Sequence, residues 1–251
     1  MNEQNIIVSV QNPLVKHCVK LRMNEDYRCD NQEVLLEGIK PIGEVSVHVK
    51  QLLYTSSCAS LVEELPGEKW QISEAILQKI SGLRSPEGVI AILRMPPYIS
   101  LGGAKRVLAL DGVSDPGNLG ALMRTALALG WDTLCVLPEC CDLYNEKVLR
   151  AARGAHFKLK LSRLTRTELR DWAERENVQM LAANLKGESP ENISHAKRRL
   201  LVLGNESRGL SEEMSTLCQP VTIAMPGEME SLNVAVAGGI LLYTLSKKGS
   251  L

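Results

Sequence analysis

The stretch RVLALDGVSDPGNLGALMRTALALG, residues 106–130, decides the fold class. Arg106–Leu110 is a short β-branched and apolar run, the make-up of a buried strand. The turn Asp111–Gly117 is rich in Asp, Pro and Gly, which favour turns. Leu119–Leu129 then sets apolar residues at helical spacing, with Gly130 at a C-cap position. The same alternation continues to the end of the chain. Thr133–Leu137, Phe157–Leu161, Val178–Ala183, Leu200–Leu203 and Val221–Met225 read as strands. Tyr144–Arg153 and Leu232–Lys247 read as helices, and Thr165-x-x-Glu168 is a capping box opening a helix through Asn177. Strands alternating with helices predict an α/β domain with a parallel sheet covered on both faces. Ligands on such sheets bind beyond the carboxyl ends of the strands. The loops after Leu110, Leu203 and Met225 are therefore where chemistry is expected.

Upstream the pattern differs. Val34–Leu36, Val45–Val49 and Val89–Leu93 are strand-like, and Glu74–Ile80 is a short helix, among polar helical stretches. Met95–Gly103 has two prolines, two glycines and no charge, the composition of a linker. The expected division is a small α/β domain over 1–94, a linker over 95–104 and the parallel-sheet domain over 105–251.

Composition narrows the function classes. With 45% apolar and 23% charged residues the chain is an ordinary globular one, not disordered or fibrous. Its longest apolar stretch, Val234–Leu245, is too short to span a bilayer, and the N-terminus lacks the pattern of a secretory signal. Seven scattered cysteines with no CxxC and no zinc spacing suggest reduced thiols and no metal site. A cytoplasmic protein of bacterial type is expected, with an organelle as the alternative. Twenty-nine basic residues balance twenty-nine acidic ones, so any nucleic-acid surface must be local. Nine aromatic residues are too few for base-stacking platforms: one Phe, five Tyr and three Trp.

Each of the three loops has an ordinary reading. The first, Asp111–Arg124, is neither GxGxxG nor a P-loop, which removes the usual support for a nucleotide-dependent metabolic enzyme. Arg124 lies within about two turns of the helix start, where the dipole is already positive; it is either part of an anion site fit for a phosphate or a solvated side chain. The second, Leu203–Leu210, brackets Glu206 and Arg208 between glycines and alone reads as a connection. The third, Met225–Val234, offers Ser231 as an N-cap and Asn233 in the first turn of the last helix.

Taken in order, the three loops resemble the motifs of the SpoU (TrmH-like) RNA ribose 2′-O-methyltransferases of the SPOUT superfamily. The resemblance runs over Arg106–Leu245. More softly, Asn12–Lys16 with Leu21, Val34–Gly38 and Pro86–Ala91 are similar to that family's substrate-binding domain. The resemblance implies a C-terminal deep trefoil knot, a homodimer with sites near the subunit interface, and S-adenosylmethionine (SAM) as methyl donor. It matches Asn118 and Arg124 to the polar pair of motif 1, Glu206 to the acid of motif 2, and Ser231 and Asn233 to the polar pair of motif 3. It matches Gly204, Ile223 and Leu232 to donor-contacting positions. Ser207 and Ala224 depart from the family's frequent Gly and Pro.

The implied reaction is an in-line displacement by a ribose 2′-hydroxyl at the sulfonium methyl, which asks mostly for positioning and needs no metal. The family proposal makes the motif 1 arginine a base. An arginine with pKa above ~12, raised further by a phosphate, is better suited to holding that phosphate. For the RNA surface, residues 145–170 carry eight basic side chains and two acids, and Arg150 and Arg153 are the chosen candidates there. Lys16, with Lys20 and Arg22, is the candidate in the N-terminal domain. Ribosomal RNA is favoured over tRNA because an N-terminal substrate domain is present; a non-catalytic RNA-binding or assembly factor is the alternative of another class.

Overall fold

A computed structural model of the chain describes residues 5–194 and 196–247. They form two compact units: the chain up to Pro96 together with Tyr144–Phe157, and Pro97–Leu143 together with Lys158 onward.

The first unit is built on a five-stranded mixed sheet: β1 (Asn5–Ile7), β2 (Glu33–Glu37), β3 (Val49–Tyr54), β4 (Glu68–Ile72) and β5 (Val89–Arg94), in the order β1-β4-β3-β5-β2. β1, β4 and β3 run parallel, and β5 is antiparallel to both β3 and β2. The helix Pro13–Met23 starts on Pro13, with the Asn12 side chain accepting from the Leu14 N–H, and buries Val15, Cys18 and Leu21. Glu74–Ile80, capped by Ser73, adds Ile76, Leu77 and Ile80 to the same core. The strand expected at Val45–Val49 is not there. Val45 and His48 donate to the carbonyls of Ile42 and Val45, which are local turn bonds, and strand pairing starts only at Val49. The helix Glu146–Ala152 belongs to this unit, not to the unit of the sequence around it.

The second unit carries a wholly parallel six-stranded sheet, as the alternation predicts. Its strands are β6 (Arg106–Asp111), β7 (Thr133–Val136), β8 (Lys160–Arg163), β9 (Gln179–Glu188), β10 (Arg199–Gly204) and β11 (Gln219–Val221), in the order β11-β9-β10-β6-β7-β8. Strand order reverses between β6 and β10, which opens a crevice at their carboxyl ends. β10 is buried throughout and β6 from Val107 on, and Leu200–Leu203 and Val107–Leu110 read as continuous apolar runs. Asp115 caps the helix Pro116–Ala128, and the Thr165–Glu168 capping box is formed at Arg166–Arg175. Three strands differ from expectation, and β9 does so by running on to Glu188 instead of ending at Ala183. β8 begins at Lys160 because Ala155–Phe157 is a 3-10 turn, and β11 ends at Val221, leaving 222–233 irregular.

The Pro/Gly segment from Met95 is not a free tether. Leu101 and Ala104 are buried in the second unit's core, the Ile99 N–H donates to the Leu161 carbonyl, and Trp172 Nε1 donates to the Gly102 carbonyl. The last helix, Val234–Lys247, packs against Pro116–Ala128 at Gly238, where a β-carbon would come within 2.4 Å of Leu122. Among the described residues no helix is long and apolar enough to cross a membrane, and no group of three or more His, Cys, Asp or Glu is placed to hold a metal.

Candidate active site

The loops after β6, after β10 and before the last helix meet around one carboxylate. Glu206 Oε1 accepts from the Asp115 N–H and from Asn118 Nδ2, both at 3.1 Å. Its Oε2 accepts from the Ser114 N–H at 3.1 Å and the Ser114 hydroxyl at 3.0 Å. All four acceptor positions of the carboxylate are thereby used. Desolvation would raise its pKa, but the hydrogen bonds from Asn118 and from backbone N–H groups outweigh it and hold the carboxyl down at about 2.

Asn118 passes the contact on: its Oδ1 accepts from Asn233 Nδ2 at 3.0 Å. Asn233 Oδ1 in turn accepts from the N–H groups of Ala235 and Val236. Glu206, Asn118 and Asn233 thus form a relay in which every amide orientation is set by its neighbour. Asn233, not Ser231, caps the last helix; its side chain reaches the free N–H groups of the first turn, two residues nearer than Ser231 stands. Ser231 lies on the wall of the adjoining cleft. Arg124 is not brought to the relay. It is exposed, and the six residues separating it from Asn118 turn the helix by about 240°, onto another face.

Gly204, Ile223 and Leu232 do come together. They line a cleft of about 660 Å³ whose walls also include Leu210, Thr222 and Glu206. Its back wall depends on Gly204, since a β-carbon there would stand 2.4 Å from the Gly209 backbone. The tight loop is stitched by Asn205, whose Oδ1 accepts from the N–H groups of Ser207 and Arg208 and whose Nδ2 donates to the Gly112 carbonyl. Ser207, one of the two departures from the family pattern, fits this turn with its N–H bonded.

Four charged residues beside the relay were not singled out as a cluster by the sequence. The Asp111 side chain is fully buried and accepts from Arg166 Nε and the Ser211 N–H, each at 2.8 Å. Arg166 continues to Glu139, and Glu139 to Arg208. The available signal was Asp111 itself, a charge directly after the apolar run Val107–Leu110.

All three candidate RNA contacts, Lys16, Arg150 and Arg153, belong to the first unit. Lys16 and Arg153 are exposed; Arg150 is half-buried, 3.9 Å from Glu146 one turn away. Arg153 holds a left-handed backbone at the C-cap of its helix. The basic stretch 145–170 is therefore divided between the units. His156 is fully buried, and no disulfide joins any of the seven cysteines, all of which are among the described residues.

Comparison with known proteins agrees with this geometry. The model of the SpoU rRNA methylase family matches residues 105–243, and that of an MRM3-like substrate-binding domain matches residues 12–91. A 23S rRNA guanosine 2′-O-methyltransferase of Bacillus subtilis is 30% identical over 95% of this chain and 98% of its own. A SpoU methyltransferase of Streptomyces viridochromogenes, solved in complex with AdoMet, superposes with a TM-score of 0.84 at 27% identity, covering 94% of this chain and 98% of its own. An AdoMet-bound rRNA methyltransferase of Sinorhizobium meliloti superposes at 0.86 with 26% identity, covering 98% and 99%. With more than half its length matched by that one model, and its three motif loops joined through Glu206, Asn118 and Asn233, the chain belongs to the SpoU rRNA methylase family.

Proposed function

We propose that this protein transfers a methyl group from SAM to a ribose 2′-hydroxyl of ribosomal RNA. The observation that carries the reading is the relay Glu206–Asn118–Asn233 at the mouth of the cleft lined by Gly204, Ile223 and Leu232. The cleft suits the donor in size, lying within the ~300–1,000 Å³ of small-ligand pockets. It suits it in chemistry as well: Leu210, Ile223 and Leu232 offer apolar surface to an adenine ring, and the loop backbones offer hydrogen-bonding groups to its edge. Bound there, SAM supplies a sulfonium methyl group.

The roles of the chain's own residues follow from their bonds. Glu206, with all its acceptor positions filled and its pKa near 2, is too weak a base to take the hydroxyl proton; it positions the motif 1 turn. Asn118 and Asn233 fix the distance between the starts of the helices Pro116–Ala128 and Val234–Lys247. Ser231 presents a hydroxyl to the cleft. Arg124 anchors the target phosphate. We infer a homodimer, which gives the exposed Arg124 a second cleft to reach. Its support is the exposed apolar stripe Val236, Ile240 and Tyr243, at helical spacing on the last helix. We also infer the family's trefoil knot, supported by the close approach of β9 and β11, where a β-carbon on Gly187 would stand 2.6 Å from the Pro220 backbone. Lys16, Arg150 and Arg153 give the first unit cationic contacts for RNA phosphates. A ribosomal RNA substrate fits a location with ribosomes, in a bacterial-type cytoplasm or, as the alternative, an organelle.

The test is calorimetric titration with S-adenosylhomocysteine (SAH), then transfer of label from tritiated SAM to 23S rRNA transcripts and, separately, to bulk tRNA. About one SAH site per chain and label in rRNA are expected. Label in tRNA alone selects the tRNA enzyme, and no SAH binding at dimer-populating concentrations selects the non-catalytic RNA-binding factor. Within this reading Arg124→Lys keeps the charge but loses the planar fork, and activity falls about 100-fold. Wild-type activity in that variant would exclude an anchoring role for Arg124.

A further inference from the structure

Next to the relay, two arginines grip one carboxylate. Glu139 Oε1 accepts from Arg166 Nη2 at 3.2 Å, and Oε2 accepts from Arg208 Nη2 at 2.9 Å. The two arginines are held very differently. Arg166 is anchored from behind by buried Asp111 and its side chain is 19% exposed. Arg208 has no such anchor among the described residues; its side chain is 68% exposed and that of Glu139 is 50%. Arg208 extends from the loop that carries Glu206 and lies over the motif 1 turn, its Nη2 4.0 Å from where a β-carbon on Gly112 would stand. Glu139 itself keeps a left-handed backbone, φ 70°, in the turn after β7. An acid therefore occupies a conformation that glycine or asparagine takes more readily, and its side chain fills the space between the guanidinium groups.

A carboxylate offering one oxygen to each of two arginines has the donor demand of a phosphodiester, whose two unesterified oxygens accept in the same way. A solvent-exposed ion pair contributes little in water and yields to a competing anion. We propose that Glu139 is a built-in placeholder for a backbone phosphate of the RNA, and that the arriving phosphate takes Arg208, with Arg166 behind it, from Glu139. The inference rests on the methyltransferase reading above and adds to it a phosphate subsite beside the motif 2 loop. Hydrogen bonds from Arg166 and then Arg208 keep the Glu139 carboxyl below its ordinary pKa. The placeholder is therefore charged at any working pH and leaves by competition, not by protonation. Because Arg208 stands two residues from Glu206, its capture by the RNA bears directly on the relay.

The test compares wild type, Glu139→Gln and Arg208→Gln. Each is titrated with a short, fluorescein-labelled, mixed-sequence single-stranded RNA over a salt series, with SAH by calorimetry, and melted. Removing the placeholder is expected to tighten RNA binding about threefold. Removing Arg208 is expected to weaken it about fivefold at low salt and to make the slope of log K against log salt shallower by about 0.7, the value of one phosphate contact on a single strand. Arg208→Lys is expected to keep that slope. A Glu139→Gln protein that binds RNA no better than wild type overturns the proposal, as does an unchanged slope in Arg208→Gln. If Arg208→Gln loses more affinity for SAH than for RNA, the donor's carboxylate is the anion held there and the RNA assignment falls. If the cluster merely braces the fold, melting temperatures drop in both variants while the salt slopes stay together, which also overturns it. A wild-type protein that binds neither SAH nor RNA removes the methyltransferase reading together with this one. A wild-type protein that binds both, with variants that match it, removes the placeholder alone.

Discussion

The two ends of the parallel sheet are built from opposite materials, and both hold the same helix. At the carboxyl ends, Glu206, Asn118 and Asn233 bond to one another at the open mouth of a cleft, and Asn233 starts the helix Val234–Lys247. At the amino ends, the last turn of that helix is held by buried groups. Arg199, 5% exposed, donates to the Leu245 carbonyl, to the Ser194 carbonyl and to Gln179 Oε1. Trp131, fully buried, donates to the Leu242 carbonyl and Ser246 Oγ. A cation at the carboxyl end of a helix also meets the negative end of its dipole. The buried end supplies stability, because lost bonds there cannot be replaced by water. The open end supplies geometry, because water replaces its bonds at small cost but does not reproduce their directions.

The sharpest break in that contrast is Arg199→Ala. It leaves three acceptors without their donor and a cavity at the helix end, at a cost of about 3 kcal/mol in urea unfolding. Turnover of the protein that remains folded is expected to change far less. A stability loss under about 1 kcal/mol would mean that the amino end is not where the helix is held.

Glu206→Gln does the reverse. The amide keeps the shape but replaces one acceptor with a donor facing N–H groups, so the motif 1 turn and Asn118 shift. Turnover is expected to fall about 100-fold, the scale of a 1 Å misplacement, while unfolding changes by about 1 kcal/mol. The pH dependence has a definite sign. Because the folded pKa of Glu206 is depressed from 4.5 to about 2, its bonds stabilise fully above pH 4.5 and are lost as pH falls from there toward 2. The stability difference between wild type and Glu206→Gln should therefore be flat from about pH 5 to 8 and shrink below about 4.5. A difference that persists unchanged at about pH 2.5 would mean that the carboxylate is not the group holding the loops.

How legible these two ends were follows from the distance over which each depends. The motif loops stood out because Gly, Asn, Asp and Pro interrupt apolar runs, and such turn chemistry is local. The parallel sheet followed from the alternation for the same reason. What escaped was non-local. Asp111, Glu139, Arg166 and Arg208 are single charges scattered along the chain, and nothing in their spacing marks them as neighbours. The sequence marked Tyr144–Arg153 as a helix, but not that this helix joins the first unit. Val45 and Val47 alternate like a strand, yet the turn bonds of Val45 and His48 decide the backbone there. Ser231 and Asn233 are both good caps, and the irregular run 222–233 has no periodicity that would choose between them.

That last ambiguity yields the gentlest and most discriminating variant, Asn233→Asp. Aspartate caps helices as well as asparagine does, so the bonds to the N–H groups of Ala235 and Val236 survive and stability should stay within about 0.5 kcal/mol. The bond to Asn118 does not survive. A carboxylate has no N–H to give, and its oxygen would face Asn118 Oδ1 at the 3.0 Å where Asn233 Nδ2 now stands. Asn118 can satisfy the new carboxylate only by turning its own amide, which withdraws Nδ2 from Glu206. One substitution therefore separates the cap from the relay. If Asn233 serves only as a helix cap, stability and turnover both remain near wild type. If the relay orients the site, turnover drops about tenfold with the melting temperature unmoved, on the scale of one lost positioning contact.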